Sequence, residues 1–526
     1  MKRSFKLAQK AFIAVAALAA MLTTFSSCNK FLDTERQGGY DATDYPYPGG
    51  SGPYDQFIFG AYNELRAFNV HSQAFITATS IRSDDADKGS TPTDGGSNAI
   101  DMDNFPVSPS NGFCNTLWIG YYGLINKCNS TIKEVNTNTQ IVASEPIKRQ
   151  TIAEARFLRA YGYFMLVRLF GSVPVIDSLY SDPAAQNNVA QSTPVQVYAF
   201  IESDLQFAAA NLPLSWDAKF AGRVTSGAAN GLLAKVFLTQ QKWGAAMAAA
   251  NSVIGSGQYS LYPSYDTLFR EIGENCSESV FEVQATASPT AGTANGVQYA
   301  QIQGIRGSGV WDFGWGWNTP STALEASYEP NDPRKSRTIL YMSTPTVPSV
   351  SIYGETLPVY TSPTGTPPNP RYNYKVYTNP TIRNTIVVGD PGNGRKGYWF
   401  NIRLLRYADV LLMYAEAANE SGNTSEALAK LEMVRARARR GAPAGTLPAV
   451  TTTDQALLRD AIRRERHIEL AMEHDRFFDI VRWGIAQNVL NAAGKTNFSN
   501  ARDVLLPIPQ TQIDLSKGVL KQNPGY

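Results

Sequence analysis

Cysteine and histidine are scarce in this 526-residue chain, with four of the first and three of the second. Beyond Cys28, the cysteines Cys114, Cys128 and Cys276 allow at most one disulfide, which excludes a disulfide-framed scaffold. His71, His467 and His474 include no His-Glu-x-x-His, and no nucleophile motif accompanies them, so neither a histidine metal centre nor a catalytic triad is indicated. One-signed charge is also lacking. The formal +2, less the four cations of the first ten residues, leaves −2, which argues against a nucleic acid or an anionic bilayer as main partner. The apolar run Ala11 to Leu22 is 12 residues long, too short to span a membrane.

That run has a role of its own. It follows Lys2, Arg3, Lys6 and Lys10 and precedes small residues ending in Ser26-Ser27-Cys28. A basic segment, a short apolar segment and small residues at a cut site make a secretory leader, here residues 1–27. A cysteine at the cut resembles a bacterial lipobox, so Cys28 is expected to carry the lipid anchor of an otherwise membrane-free body.

Apolar spacing of three to four predicts helices over 61–68, 117–135, 147–170 and 194–210. It also predicts two helical hairpins, 225–240 with 243–254 and 404–420 with 425–439, the second broken at Ser421-Gly422-Asn423. In the first hairpin Ala228, Ala229 and Ala234 are expected to face Ala245, Ala248 and Ala249. The Arg463 to Gly484 stretch reads as one more helix, with Glu465, Glu469 and Glu473 four apart, needing Arg466, Arg476 and the arginines of the 154 helix as compensators. Residues 257–400 differ: seven prolines fall between 345 and 370, and the plausible strands, 279–284 and 385–388, are short. The expected architecture is mainly α, a tetratricopeptide-like scaffold of helical hairpins with an irregular, loop-rich second lobe. Its parts are 28–256, a binding lobe over 257–400, and a helical 401–526.

Long segments then carry a family resemblance. They are Cys28-Asn-Lys-Phe-Leu-Asp, Glu154-Ala-Arg-Phe-Leu-Arg-Ala-Tyr-Gly-Tyr-Phe, Arg406-Tyr-Ala-Asp-Val-Leu-Leu-Met-Tyr-Ala-Glu-Ala, Arg463-Arg-Glu-Arg-His-Ile-Glu-Leu, and the tail Leu506-Pro-Ile-Pro to Tyr526. In order and content they resemble the SusD/RagB family of outer-membrane glycan-binding lipoproteins. The resemblance implies a non-catalytic, cell-surface protein of a Gram-negative bacterium that binds oligo- or polysaccharide. It also implies delivery of that glycan to a SusC-like TonB-dependent transporter. The other readings are a peptide-capturing lipoprotein and an exported glycoside hydrolase with paired carboxylates.

Three segments offer sugar-binding chemistry. Trp311, Phe313, Trp315 and Trp317 alternate, so an extended chain would put all four rings on one side, with Asp312 and Asn318 beside them. Asp84 and Asp85 lie in an acidic turn suited to accepting sugar hydroxyls. The Asp85-x-Asp87-x-Gly89 spacing also faintly resembles a calcium loop, leaving a structural calcium as an option where no other cofactor is expected. Arg371 with Tyr372, and Arg395 with Tyr398 and Trp399, pair cations and rings on glycine- and proline-flanked loops.

Overall fold

Two helices of 26 residues set the frame, and the sequence marks their ends. A computed structural model describes residues 52–285, 296–307, 311–377, 379 and 400–526. Cys28, Arg395, Tyr398, Trp399 and the expected strand 385–388 lie outside that set. Residues 54–138 and 143–526 form one unit; of a second unit, 1–53 and 139–142, only 52–53 and the turn at 139–142 are described.

Helix α1 spans Asp55–Glu64, so the helix expected over 61–68 starts earlier and stops sooner, a separate turn following at Phe68–His71. α2, Gly112–Thr137, begins where the Asn111 side chain accepts the Phe113 N–H. α3, Glu145–Phe170, ends at Gly171, whose φ of +72 favours glycine. Its buried surface is wider than one face: Tyr163 and Leu166 are as buried as Phe157 and Phe164, so α3 runs through the core. α4, Pro194–Asn211, opens on a capping box between Thr193 and Gln196. The first hairpin is α5, Ser226–Thr239, and α6, Trp243–Gly255. Its close face is Ala246, Ala249 and Ala250, one residue out of phase with the expected set, and Ala248 is exposed.

The second hairpin is α7, Tyr407–Glu420, and α8, Thr424–Ala438, with Gly422 in a left-handed turn between them. Leu404 is not helical. It lies in a strand, Ile402–Arg406, that pairs antiparallel with Ser279–Val283, and such pairing overrides local helical spacing. The stretch read as one helix over 463–484 is two, α9, Gln455–Glu469, and α10, Arg476–Arg482. Met472 and His474 take positive φ between them because tertiary bonds hold that turn. Asp85 accepts the Met472 N–H at 3.1 Å, and the His474 ring bonds Thr79 and Tyr299.

In chain order the strands are β1, Ala86–Gly89; β2, Ser279–Val283; β3, Trp317–Pro320; β4, Ile339–Tyr341; β5, Ser351–Ile352; β6, Glu355–Thr356; β7, Arg371–Asn373; and β8, Ile402–Arg406. They make four two-stranded ribbons, β1–β3, β2–β8, β4–β7 and β5–β6. The protein is thus mainly helical with few short strands. A large helical core is accompanied by a smaller aromatic one containing Trp311, Phe313, Tyr372, Tyr374 and Tyr377.

Buried ion pairs lock α9 to its surroundings. Glu465 pairs with Arg334 and Arg435, Glu469 with Arg334, Arg406 and Arg437, and Glu473 with Arg406 and Lys375. The expected network is present, but its cations come from other elements. Arg466 serves Asp409 and Asp479, Arg476 serves Asp84, and of the α3 arginines Arg159 serves Asp204 and Arg168 serves Asp475.

Two buried histidines give the fold a pH dependence. His71 donates from Nδ1 to the Leu65 carbonyl at 2.7 Å and accepts at Nε2 from Tyr161. Burial pushes His71 down to about 4 despite that Leu65 bond, and burial with nearby His71 pushes His474 down to about 3, against Asp475. Both are neutral when folded but titrate near 6.5 when unfolded. The stability they contribute is therefore present above pH 6.5 and is lost as pH falls towards 4, by up to about 1.4 kcal/mol per pH unit for each ring. Glu274, which burial raises to about 7, acts with the opposite sign, so in Glu274→Gln the urea midpoint is expected to be lower at pH 5 than at pH 7.5, and an equal or higher midpoint at pH 5 in that variant would contradict neutral burial.

Candidate functional site

β1 and β3 are over 200 residues apart in sequence, and their pairing, with β7 beside β3, brings together the described stretches singled out for binding chemistry, 82–94, 311–318 and 371–374. Asp87 lies opposite Thr319 and Gly89 opposite Trp317, while β7 lies alongside β3. Gly89 has φ +71, and a Cβ there would sit 2.4 Å from the Gly316 carbonyl oxygen, so this close approach needs glycine. Between the strands opens a cleft of about 270 Å³, lined by Asp87, Lys88, Ser90, Thr319, Asn369 and Arg371 among others.

Most charges on its wall are already partnered. Lys88 Nζ donates to the carbonyls of Gly89, Thr91 and Asp94 at 3.2, 2.8 and 3.2 Å, tying down the turn after β1, and stands 5.1 Å above the Trp317 ring. Asp103 accepts the Lys88 N–H at 2.8 Å and pairs with Lys495. Arg371 pairs with Glu325, which also accepts the Tyr341 hydroxyl at 2.9 Å. Asp94, bonded by Ser90 and Thr91 and paired with Arg306, is held near 2 although burial pushes it the other way. The exception is Asp87. Its side chain is exposed, and among the described residues nothing hydrogen-bonds to its carboxylate. Enclosure by the cleft, and Asp103 nearby, raise its carboxyl above the usual value against the pull of Lys495. An ionised acceptor with free lone pairs, between strand backbones and the Asn369 amide, suits a polyhydroxylated ligand.

Apart from Arg371, the described side chains chosen from sequence fall elsewhere. The ring segment does not run extended: the N–H groups of Gly314, Trp315 and Gly316 bond back to the carbonyls of Ile305, Gln301 and Gly304. Its rings therefore separate. Trp311 and Phe313 are buried in the aromatic core against Tyr377, with centroids 5.8 and 4.5 Å away, Trp317 is buried in the helical core, and Trp315 is half-buried against it. No four-ring platform forms. Asp312 is half-exposed, and Asn318 is fully buried with its amide donating to Gln303 at 2.7 Å.

Asp84 and Asp85 are buried, not open to a sugar. Arg476 grips Asp84 with two bonds of 2.8 Å, and Asp85 bonds His467 at 2.7 Å. Asp84, Asp85 and His467 are close enough together to hold a cation, but Asp87 is not part of that group and Arg476 already supplies positive charge there. Arg371 and Tyr372 lie in a strand rather than an open loop, and Tyr372 is buried, so of that pair only Arg371 reaches the cleft. In the sequence Asp87 stands out only within a calcium-loop spacing, and Asp84 and Asp85 are the carboxylates expected to meet a sugar. Asn369 and Thr319 carried no signal, because a β1–β3 contact leaves no local period.

Comparison with known proteins agrees with this architecture. The SusD family model matches residues 277–526, and a second, described as starch-binding associating with outer membrane, matches residues 55–238. SusD-like protein P2 of Formosa agariphila is 29% identical over 490 residues, covering 89% of this chain and 91% of that protein. The solved structure of a laminarin-binding SusD-like protein superposes with a TM-score of 0.74 at 27% identity, over 90% of this chain and 99% of that one. Surface glycan-binding protein A of Bacteroides thetaiotaomicron, solved with laminarihexaose, shares the fold, with a TM-score of 0.72 at 24% identity over 89% and 98% of the two chains.

Proposed function

The chain belongs to the SusD family, and from that premise we propose that it captures a polysaccharide at the cell surface in the β1–β3–β7 cleft without cleaving it. The observation that carries this reading is the cleft itself, where an exposed, unbonded carboxylate stands among backbone, amide and paired charges. The starch-binding description of the family over residues 55–238 and the laminarin-binding relative support a glycan as the ligand. Retaining and inverting glycosidases need two carboxyl groups flanking the bond they break. Asp103 is engaged by Lys88 and Lys495, which leaves Asp87 without a free partner carboxyl on the cleft wall among the described residues.

The protein is held to the outer membrane by lipid on Cys28. Among the described residues no helix is long and apolar enough to cross a membrane, which is compatible with that anchor. The captured glycan passes to a SusC-like TonB-dependent transporter. Titration calorimetry of residues 29–526 against laminarin, starch and other plant, microbial and host glycans, with an assay for released reducing ends, tests the reading. Saturable binding without new reducing ends is expected. Cleavage would overturn the non-catalytic claim, and silence across the glycans with binding of peptides would replace the cargo.

A further inference from the structure

Remote from the β1–β3–β7 cleft in sequence, and sharing no lining residue with it, is a tryptophan fixed in place outside every hydrophobic core of the described residues. Trp216 donates its indole N–H to the Val224 carbonyl at 2.9 Å. The Arg223 guanidinium lies 4.0 Å from its ring centroid, and Phe220 packs edge-on at 6.2 Å. Arg223 is itself held by Glu154 at 2.6 and 2.9 Å and by Asp55 at 3.2 Å. Yet Trp216 remains half-exposed and belongs to none of the cores. An aromatic ring whose orientation is set beforehand loses little freedom when a ligand stacks on it.

Hollows open on both sides of the adjoining turn, Ala221 to Arg223. One, of about 190 Å³, is lined by Trp216, Phe220, Tyr259, Asp217, Gln258 and Asn275. The other, of about 300 Å³, has Phe59, Tyr62, Asn63 and Gln284 on its wall, and Phe59 is 40% exposed. Between them Asn275 and Gln284 bond each other through both amides, at 2.8 and 2.9 Å, on the surface. Gly222, at φ +90, brings the turn against Gln284, where a Cβ would stand 2.1 Å from Cγ. Flat rings beside amides and a tyrosine hydroxyl present both an apolar face and hydrogen-bonding groups. An anion is disfavoured, since the Arg223 charge is already matched by two carboxylates.

We propose that this surface is a second carbohydrate-binding site, taking a neutral sugar ring of the same polymer on Trp216. The inference rests on the glycan-capture reading. A long chain engaging both sites would be held more tightly than a short one through effective concentration.

Titration of the mature protein with laminarihexaose and a starch hexaose, followed by tryptophan-directed NMR of the indole N–H signals, tests it. For the hexaose that binds, two equivalents are expected. Trp216→Ala should remove one, or weaken it at least 10-fold, and shift no signal of the β1–β3–β7 cleft. Should Trp216→Ala fail to fold, Asn275→Gly keeps the positive φ of Asn275 while deleting its amide, and should weaken the same equivalent. One equivalent in the wild-type protein, lost in Asp87→Ala but retained in both other variants, would overturn the second site alone. No binding of any glycan by the wild-type protein would overturn the capture reading beneath it.

Discussion

Replacing Glu469 with alanine is expected to destabilise the protein by about 3–5 kcal/mol, the cost typical of breaking a buried ion pair from one side. Glu469 is fully buried at the end of α9. Its carboxylate meets Arg334 and Arg406 at 3.1 Å each, and Arg437 as well. Burial alone would raise its pKa, but Arg437, Arg406 and Arg334 overcome that and hold it at about 2. Alanine removes the one carboxylate these three guanidinium groups share; Arg334 keeps Asp332 and Glu465, Arg406 keeps Glu278 and Glu473, and Arg437 keeps Glu278, so one negative charge is lost from a still partly paired cluster where water does not reach. Its backbone carbonyl still accepts Arg406, Lys375 and Tyr265, so the α9 terminus keeps its anchor and the effect isolates the side chain. The comparison is Glu432→Ala, which breaks a partly exposed pair with Arg439 and should shift stability by under about 1 kcal/mol. Urea denaturation of both variants measures the difference. A Glu469→Ala midpoint as close to wild type as that of Glu432→Ala would show that the network contributes little.

Asp87→Ala is expected to weaken glycan binding about 10- to 100-fold while leaving stability nearly unchanged. Hydrogen bonds to a charged group contribute about 1.5–3 kcal/mol, and about 1.4 kcal/mol is a factor of ten in affinity. Because the Asp87 carboxylate bonds to nothing among the described residues, its loss leaves no partner stranded. Trp317→Ala is the opposite case. That ring is 4% exposed and packs where a Cβ on Gly95 would come within 2.3 Å, so its removal excavates the core and loses binding only through the fold. Calorimetry with a parallel melting curve separates the two, and equal affinity in Asp87→Ala would take the cleft out of glycan recognition.

What the sequence revealed and what it hid have physical causes. Helices were readable because each carries its own period and punctuation: Gly171 ends α3, Gly422 parts α7 from α8, and Thr193 caps α4. Errors arose where distant partners overrule local spacing. Leu404 follows β2 into a strand, and the α9–α10 break exists because Asp85, Thr79 and Tyr299 bind residues 472 and 474. The aromatic segment misled for the same reason. Alternation at 311, 313, 315 and 317 implies one face only in an extended chain, and three backbone bonds to 301–305 fold it instead. The cleft was half-legible: segments 82–94, 311–318 and 371–374 do converge, but Asp87 is distinguished from Asp84 and Asp85 only by which carboxylates find Arg476 and His467.

The central claim is that glycan is captured in the β1–β3–β7 cleft, and a crystal structure of residues 29–526 with a bound oligosaccharide tests it most directly. The account predicts an intact sugar chain in that cleft, with at least one hydroxyl donating to Asp87 and others reaching the Asn369 amide or strand backbone. A sugar bound elsewhere, with the cleft empty and Asp87 facing solvent, would contradict it.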